Sequence, residues 1–332
     1  MKKFGFIAAG LVALPLSVSA DVTIYGRANV SLDFLDDGAD YSELAVSSNA
    51  SMLGFRTQRE FDRFTAVMQI EQEIDVSNQG SNWASRDTFV GLRGDFGMLR
   101  LGKFDTPFKR ARGPAVLFGE QLGDLRNFTR YGNGRFDERM PNSIHYQTPS
   151  RNGLQGNIAF SAHEDTDANS GSDNALSLSV TWSGEDINLA VAYEKFEDDR
   201  SRGGRQAFRL AANYDIGDWR LVGFFQTIDH DDDAFDADVY GVGVLYRLSE
   251  RVHLKGQYFE RRAEAADSDS QMVTVGAEYI VSSPLRFYLN YARVANDTNA
   301  DLTPWDQGRT TRQPGSPGNT ASGLNLGLRF TF

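Results

Sequence analysis

Apolar and polar residues alternate along much of the chain with a period of two. In ALSLSVTWSG, the apolar residues Leu176, Leu178, Val180 and Trp182 alternate with serine and threonine. The same alternation recurs in FRLAANYDI, MVTVGAEYIV and LRFYLNYAR. A period of two places successive side chains on opposite faces of a β-strand. The pattern therefore predicts a series of strands, each with one apolar face and one polar face.

The segments that connect these strands alternate between short and long. Four short connections lie near residues 183–186, 215–219, 248–252 and 281–285, whereas the long ones are polar and acidic. A meander with this alternation brings all of its long loops to one end, as in outer-membrane barrels. We count sixteen strands, so both termini are expected at the end with the short turns. The strand centres are predicted near residues 28, 50, 68, 89, 100, 144, 158, 179, 191, 210, 223, 243, 256, 276, 289 and 326.

The predicted fold class is all-β: a 16-stranded antiparallel transmembrane β-barrel with short periplasmic turns and long external loops. Aromatic residues at strand ends, such as Trp182, Tyr214 and Trp219, agree with the aromatic girdles of such barrels. The alternative is a soluble β-sandwich, whose strands also alternate but expose their polar face. No segment after the N-terminal region has 18 consecutive apolar residues, which disfavours a helical membrane protein.

Residues 1–20 have the layout of a secretory signal peptide. Lys2 and Lys3 precede the apolar stretch FGFIAAGLVALPLSV, and small residues then occupy the positions that a signal peptidase reads. Cleavage is expected before Asp21, which would leave residues 21–332 as one barrel domain. The alternative is an N-terminal membrane anchor, but the apolar stretch is shorter than the roughly 20 residues that a spanning helix needs.

Charge and composition exclude several classes of function. The formal net charge is −11, and it becomes −13 when Lys2 and Lys3 are removed, so nucleic acid is not an expected partner. The chain has no cysteine, which excludes disulfides and cysteine-based metal sites. No Gly-x-Ser-x-Gly motif occurs, and the four histidines lack the spacing of metal ligands. We therefore expect no enzyme activity, no cofactor and no metal site.

Five stretches, in this order, carry a resemblance to a known family: DVTIYGRANVSLDF, SMLGFRTQ, FVGLRGDFGMLRLGKF, RMPNSIHYQTP and GLNLGLRFTF. They resemble the general diffusion porins of Gram-negative bacteria, which are trimeric 16-stranded barrels. The resemblance implies a water-filled channel in the outer membrane that passes small hydrophilic solutes and ions by passive diffusion. It also implies a homotrimer in contact with outer-membrane lipid and lipopolysaccharide.

The resemblance further implies that the third external loop folds into the barrel and narrows it. The long break from Asp105 to about Asp137 lies after the fifth strand, where the family has this loop. Glu120 and Asp124 are its central acids and are expected to form the constriction. Leu117 stands where the family usually has an acid, so the acidic pattern is displaced. The alternative is an external loop surrounded by water.

Strand parity predicts a basic wall opposite these acids. An arginine on the lipid face would cost about 2–4 kcal/mol at the membrane midplane, so arginines that alternate with apolar residues are expected to face inward. The wall comprises Arg27, Arg56, Arg86, Arg100 and Arg139. By resemblance, three of these (Arg27, Arg86 and Arg139) match basic positions of the family, whereas another such position is Met52 here. Acids that face arginines would set a transverse field. The acidic net charge and the thinner basic wall predict mild cation selectivity.

The last stretch alternates up to its final residue. Leu324, Leu326, Leu328, Phe330 and Phe332 are predicted to face lipid, and the strand is expected to pair with the first strand because an unpaired edge cannot persist in lipid. By resemblance, Phe330 and Phe332 form a signal that the barrel-assembly machinery reads.

Alternative functions also stay open. A substrate-specific porin with a saturable sugar or oligosaccharide site would need an aromatic track, and Tyr25, Phe224 and Tyr288 are predicted inward without forming an obvious series. A barrel enzyme or an adhesin is a third class. Residues 76–85 lie where the family latches onto a neighbouring subunit. The acidic residues 229–238 either bind divalent cations at lipopolysaccharide or form a solvated loop, which is the simpler interpretation.

Overall fold

A computed structural model of the chain describes residues 22–75, 84–162, 174–197, 202–310 and 312–332. The predicted signal peptide and most of the predicted latch loop lie outside the described residues. Two α-helices occur in the described part of the chain, Pro107–Arg110 (α1) and Arg126–Thr129 (α2). No helix in these ranges is long and apolar enough to cross a membrane.

Seventeen β-segments make up most of the described chain, and all of them belong to one sheet. They are β1 (Val22–Asp36), β2 (Ser42–Ser48), β3 (Met52–Glu60), β4 (Thr65–Glu73), β5 (Thr88–Gly94), β6 (Gly97–Asp105), β7 (Arg139–Gln147), β8 (Leu154–Ser161), β9 (Ala175–Ser183), β10 (Ile187–Phe196), β11 (Arg205–Ile216), β12 (Trp219–His230), β13 (Ala237–Arg247), β14 (Val252–Ala263), β15 (Ser270–Ser282), β16 (Leu285–Asn296) and β17 (Ala321–Thr331).

The sheet closes into a barrel of sixteen antiparallel strands. Segments β2 and β3 both pair with β1 and form one strand that is interrupted at residues 49–51, where Ala50 has a φ of 52°. Closure comes from β17, which pairs with β1 from Arg27 opposite Thr331 to Asp36 opposite Ser322. The predicted fold class is confirmed. Fifteen predicted centres fall inside these strands, and the centre at residue 50 falls in the interruption.

The two faces of each strand separate as the alternation predicts. On β17, Leu326 is 55% exposed on the outer face, whereas its neighbour Asn325 is completely buried in the barrel interior. The other apolar residues predicted to face lipid on this strand are also exposed, including Phe330 and Phe332. Backbone pairing continues to Phe332, whose carbonyl accepts a hydrogen bond from the Gly26 amide over 2.9 Å. The barrel therefore presents its apolar face outward, which excludes the soluble sandwich.

The apolar core lies inside the barrel and is built by residues 106–138, which we call the inserted loop. Its side chains Phe108, Phe128 and Phe136 are fully buried against wall residues such as Phe224 and Phe259. The loop leans on the side of the barrel that extends from β9 to β17, as hydrogen bonds to Ser177, Arg209, Lys255 and Arg329 show. The predicted infolding of the third external loop is therefore present in the structure.

A second external segment also enters the barrel. Residues 297–320, which we call the last loop, place Trp305 in full burial beside Leu35 and Leu122. The carbonyl of Pro304 accepts a hydrogen bond from the Gly123 amide over 2.8 Å, and the Gln307 amide donates to the Asn127 side chain over 2.9 Å. The inserted loop is therefore held between the barrel wall and the last loop.

Candidate functional site

Glu120 lies at the turn of the inserted loop and faces two arginines of the barrel wall. Its carboxylate is 2.5 Å from the Arg27 guanidinium and 3.5 Å from that of Arg329. Its backbone has a φ of 58°, a conformation that non-glycine residues rarely adopt. The structure thus brings two predicted site residues, Glu120 of the inserted loop and Arg27 of β1, into direct contact beside the seam between β1 and β17.

The backbone of this turn is fixed by a polar cluster on β1, β16 and the interruption in the second strand. The Asn29 side-chain amide donates to the carbonyl oxygens of Glu120 and Asn49, each over 3.0 Å. Its own carbonyl oxygen accepts a hydrogen bond from the Tyr288 hydroxyl over 2.9 Å. Because these side chains are buried and mutually bonded, they hold the turn in one position against the wall.

Gly123 lets the inserted loop approach the wall closely. Its φ is 81°, and a Cβ atom at this position would lie 2.3 Å from the Thr274 hydroxyl oxygen. Its carbonyl accepts a hydrogen bond from the Gln257 side chain over 2.6 Å. Both the backbone conformation and the lack of space therefore require glycine here.

Asp124 has a different role from Glu120, although both acids were predicted to form the constriction. Its side chain is 1% exposed and accepts hydrogen bonds from the Arg126 guanidinium, at 2.6 Å from Nη2, and from the Glu120 amide, also at 2.6 Å. A carboxylate enclosed in this way stabilises the turn but does not face the lumen. Asp124 thus supports the turn of the inserted loop, while the lining role of Glu120, whose side chain is 16% exposed, stays a prediction.

The predicted basic wall does not form a single cluster. Arg56 is exposed and lies over the Tyr25 ring, 5.5 Å from its centroid. Arg86 is buried, 3.5 Å from the Glu73 carboxylate and 3.9 Å from that of Glu71. The charge of Arg86 is thus largely compensated within the wall itself, whereas Arg56 is open to the lumen.

Arg100 and Arg139 are both held by neighbouring side chains of the wall. Arg100 is 3% exposed, donates to His145 Nδ1 over 3.0 Å and covers the ring of Phe104. Arg139 binds the carboxylates of Asp87 and Asp105 at 2.8 and 3.1 Å. The predicted alternation with Ser143 and His145 does not extend to Arg139. A register shift between β6 and β7, after Gly102, breaks the alternation, so Arg139 reaches these acids from a strand end.

Hydrogen bonds join the last loop to residues 37–41, which connect β1 to β2. Asp37 accepts hydrogen bonds from the Ser316 hydroxyl over 2.6 Å and from the amides of Ala39 and Tyr41. The hydrogen bond from Ser316, with those from the two amides, holds the pKa of Asp37 below its ordinary value despite burial.

This depressed pKa predicts a dependence on acidity. A carboxylate whose pKa is lower in the folded state contributes stability above its unfolded pKa of about 4, and that contribution is lost as pH falls through the folded value. We expect the last loop to loosen at such low pH, seen as a rise in conductance fluctuations. Ser316→Ala should shift the onset to higher pH, and an unchanged onset would show that this contact does not hold the loop.

Comparison with known proteins identifies the architecture. Residues 8–299 match the family model described as Gram-negative porin. The chain belongs to the Gram-negative porin family. Members of this family are outer-membrane proteins and passive channels, not enzymes.

Individual relatives of this porin are distant. The major outer membrane protein P.IB of Neisseria gonorrhoeae is 29% identical over 207 residues, which cover 59% of this chain and 58% of the relative, so the match spans little more than half of that protein. P.IB of Neisseria meningitidis serogroup B is 24% identical over 84% of this chain and 89% of the relative. The solved anion-selective porin from Comamonas acidovorans covers 95% of this chain and 100% of its own, with a TM-score of 0.83 and 20% identity. A trimer form of OmpT from Vibrio cholerae covers 95% of this chain and 100% of its own, with a TM-score of 0.70 and 17% identity.

Sequence reasoning missed the residues that anchor the inserted loop of this porin. Asp137 forms a fully buried ion pair with Arg209, with a 2.6 Å contact to Nη1. Lys255 donates to the Leu117 carbonyl over 3.0 Å and pairs with Glu278 at 2.7 Å. The parity rule that selected Arg27 would also have turned Arg209 and Lys255 inward, because both alternate with outward apolar residues.

Proposed function

We propose that this porin is an outer-membrane channel for the passive diffusion of small hydrophilic solutes and ions. The observation that supports this proposal is that the inserted loop fills one side of a closed barrel, from β9 to the seam between β17 and β1, where Glu120 pairs with Arg27. Such a loop reduces the cross-section of the channel without adding a catalytic site. We propose, by family, that the channel works as a homotrimer in outer-membrane lipid and lipopolysaccharide.

Selection in this channel would be electrostatic. A narrow aqueous path between low-dielectric walls focuses the field of the charges that line it. Side chains of both charges are exposed on the part of the interior that the inserted loop leaves open. Arg56 is exposed, and the side chains of Glu73 and Arg110 are 43% and 48% exposed. A passing solute would therefore meet both signs of charge. Polar solutes can align with this field, whereas apolar ones lose hydration without compensation.

The sign of the ion preference depends on where the charges lie. The net charge predicts mild cation selectivity, but part of the acidic excess lies in exposed external residues such as Asp231, Asp232 and Asp233. The wall on the periplasmic side of the inserted loop carries five cations and one carboxylate around a single cavity. Charges that line the path have more influence than distant ones, because salt screens exposed charges beyond about 8–10 Å. We therefore propose a preference for anions.

Reversal potential across a salt gradient tests this preference. We expect a potential with the sign of anion selectivity for the unaltered protein. In Arg27→Gln, one lining cation is lost and Glu120 keeps only the more distant Arg329, so the potential should shift toward cations. Glu120→Gln should shift it the opposite way. Cation selectivity in the unaltered protein would support the prediction from net charge and refute ours.

A substrate-specific porin for sugars is less well supported. Phe224 and Tyr288, two of the aromatic residues predicted to face inward, are buried under the inserted loop or within the polar cluster. Tyr25 donates its hydroxyl to Glu71 over 2.8 Å. These rings do not form an exposed series in the described structure, so we favour general diffusion. Saturable block of the current by an oligosaccharide would favour the specific porin instead.

The terminal aromatic residues carry a separate proposal. We keep the role of Phe330 and Phe332 as a signal for the barrel-assembly machinery; their rings stack with centroids 6.0 Å apart on the outer face. Deletion of Phe332 should lower the yield of assembled trimer in the outer membrane several-fold, while the conductance of the protein that does assemble stays unchanged. Leu324→Ala on the same face is the control. A normal yield after deletion of Phe332 would contradict the signal role.

A further inference from the structure

Five cations meet in one cavity on the periplasmic side of the inserted loop. The cavity measures about 290 Å³ and lies between the loop residues near Leu117 and the wall formed by β12 to β17. Its charged lining consists of Arg220, Arg247, Lys255, Arg286, Arg329 and one carboxylate, Glu278. Most of the predicted basic wall lies elsewhere, on β3, β6, β7 and the segment before β5. Its remaining member, Arg27 on β1, borders this surface, because Arg27 and Arg329 both contact Glu120.

The carboxylates in contact with these cations do not balance them. Asp215 accepts hydrogen bonds from both Arg220 and Arg247, at 2.8 and 2.7 Å, so one acid serves two guanidinium groups. Glu278 is 2.7 Å from Lys255 and only 3.7 Å from Arg286. With Glu120 near Arg329, three acids face five cations.

Arg286 and Arg329 are the least satisfied members of this group. They are direct neighbours in the ladder between β16 and β17, an arrangement that is destabilising for like charges. The carboxylate contacts of Arg286 and Arg329 are 3.7 and 3.5 Å long. Arg329 Nη2 also donates to the Gly119 carbonyl over 2.9 Å, but its Nε finds no acceptor within the described residues. An anion between the two guanidinium groups would offset the repulsion and supply the acceptor that Arg329 Nε lacks.

We infer that this cavity binds a small divalent oxyanion, with Arg286 and Arg329 as its direct ligands and Lys255 as a flanking charge. Guanidinium groups present paired N–H donors whose geometry fits carboxylate and phosphate oxygens. The volume admits inorganic phosphate or a short dicarboxylate such as succinate. The inference rests on the proposed function, since it makes this cavity a station on the diffusion path where oxyanions dwell.

Calorimetric titration of the purified, folded protein tests the site. Phosphate and succinate are titrated separately at constant ionic strength, which distinguishes a tetrahedral oxyanion from a dicarboxylate. We expect saturable binding of at least one of them. Arg286→Gln and Arg329→Gln should each weaken it about tenfold or more, and Arg329→Lys should also weaken it, because it keeps the charge but not the paired donors.

Arg93→Gln is the matched control. Arg93 is an exposed arginine near the periplasmic end of β5, on the other side of the barrel, and removing it changes the charge by the same amount. Equal weakening in Arg93→Gln would show a general field and overturn the site, as would absence of saturable binding by both anions. The same proteins are then recorded in bilayers. Conductance without binding refutes the site alone, whereas binding without conductance refutes the channel function and leaves the site.

Discussion

Removing residues 302–314 should raise the single-channel conductance roughly twofold or more, because the last loop occupies space inside the barrel that water and ions would then fill. The deletion takes out the buried residues Trp305, Gln307 and Arg309. The two residues to be joined already lie close together, since the Gly315 amide donates to the Asp301 carbonyl over 3.1 Å. Bilayer recording of the purified variant is the measurement.

The deletion of residues 302–314 removes two contacts that the last loop makes inside the barrel. It removes the Pro304 carbonyl that accepts from Gly123, so the inserted loop keeps its wall contacts but loses its outer support. It also removes Arg309, which pairs with the buried Asp33, and water must then solvate that carboxylate. Deletion of the exposed residues Asp233 and Ala234 in another external loop should leave the conductance unchanged. An unaltered conductance in a folded 302–314 deletion would show that the last loop lies outside the conducting path.

Asp137→Asn should release one end of the inserted loop. The Asp137 carboxylate bonds the Arg209 guanidinium through both oxygens and accepts a third hydrogen bond from Thr129, all without exposure to solvent. Breaking a buried ion pair by removing one partner typically costs about 3–5 kcal/mol, since the other charge is left uncompensated. We expect a lower temperature of barrel unfolding and frequent transitions between conductance levels.

The control for Asp137→Asn is Asp267→Asn. Asp267 is an exposed loop residue whose φ of 52° resembles the 65° of Asp137, and asparagine tolerates this conformation, so any backbone effect is matched. The Asp267 variant should behave like the unaltered protein. Replacing both partners, as in Asp137→Asn with Arg209→Met, should recover part of the lost stability. If Asp137→Asn unfolds at the unaltered temperature with steady currents, the buried pair does not anchor the loop.

The barrel was predictable because lipid constrains every outward position separately. Each strand repeats the same rule, so errors at single residues do not alter the register. Leu326 and Asn325 on β17 show this, since neighbours in sequence have opposite environments that alternation alone assigns. The same constraint explains why fifteen of the sixteen predicted centres fall inside strands, while the centre at residue 50 falls in the interruption between β2 and β3.

The interior was less predictable because its contacts join distant parts of the chain. Parity shows that Arg56 and Arg100 both point inward, but it does not show that Arg100 is covered by Phe104 while Arg56 stays exposed. The last loop has a polar sequence without periodicity, so its entry into the barrel could not be predicted from alternation. The large apolar residues Leu302 and Trp305 are the signal in this stretch that indicates burial. Whether a carboxylate lines the path or supports a turn depends on its neighbours, as Glu120 and Asp124 show.

The closure of β17 onto β1 has a consequence for the order of folding. The turn at Glu120 is held by Asn29, which lies 91 residues earlier, while the neighbouring Gly119 accepts from Arg329, which lies 210 residues later. Contacts of such long sequence separation form late, because the entropy of closing the intervening chain must first be overcome. The narrow part of this porin therefore cannot take its final shape before the two ends of the sheet have met. Before the barrel closes, the inserted loop would be held only by strands away from the seam, through contacts such as those of Arg209 on β11 and Lys255 on β14.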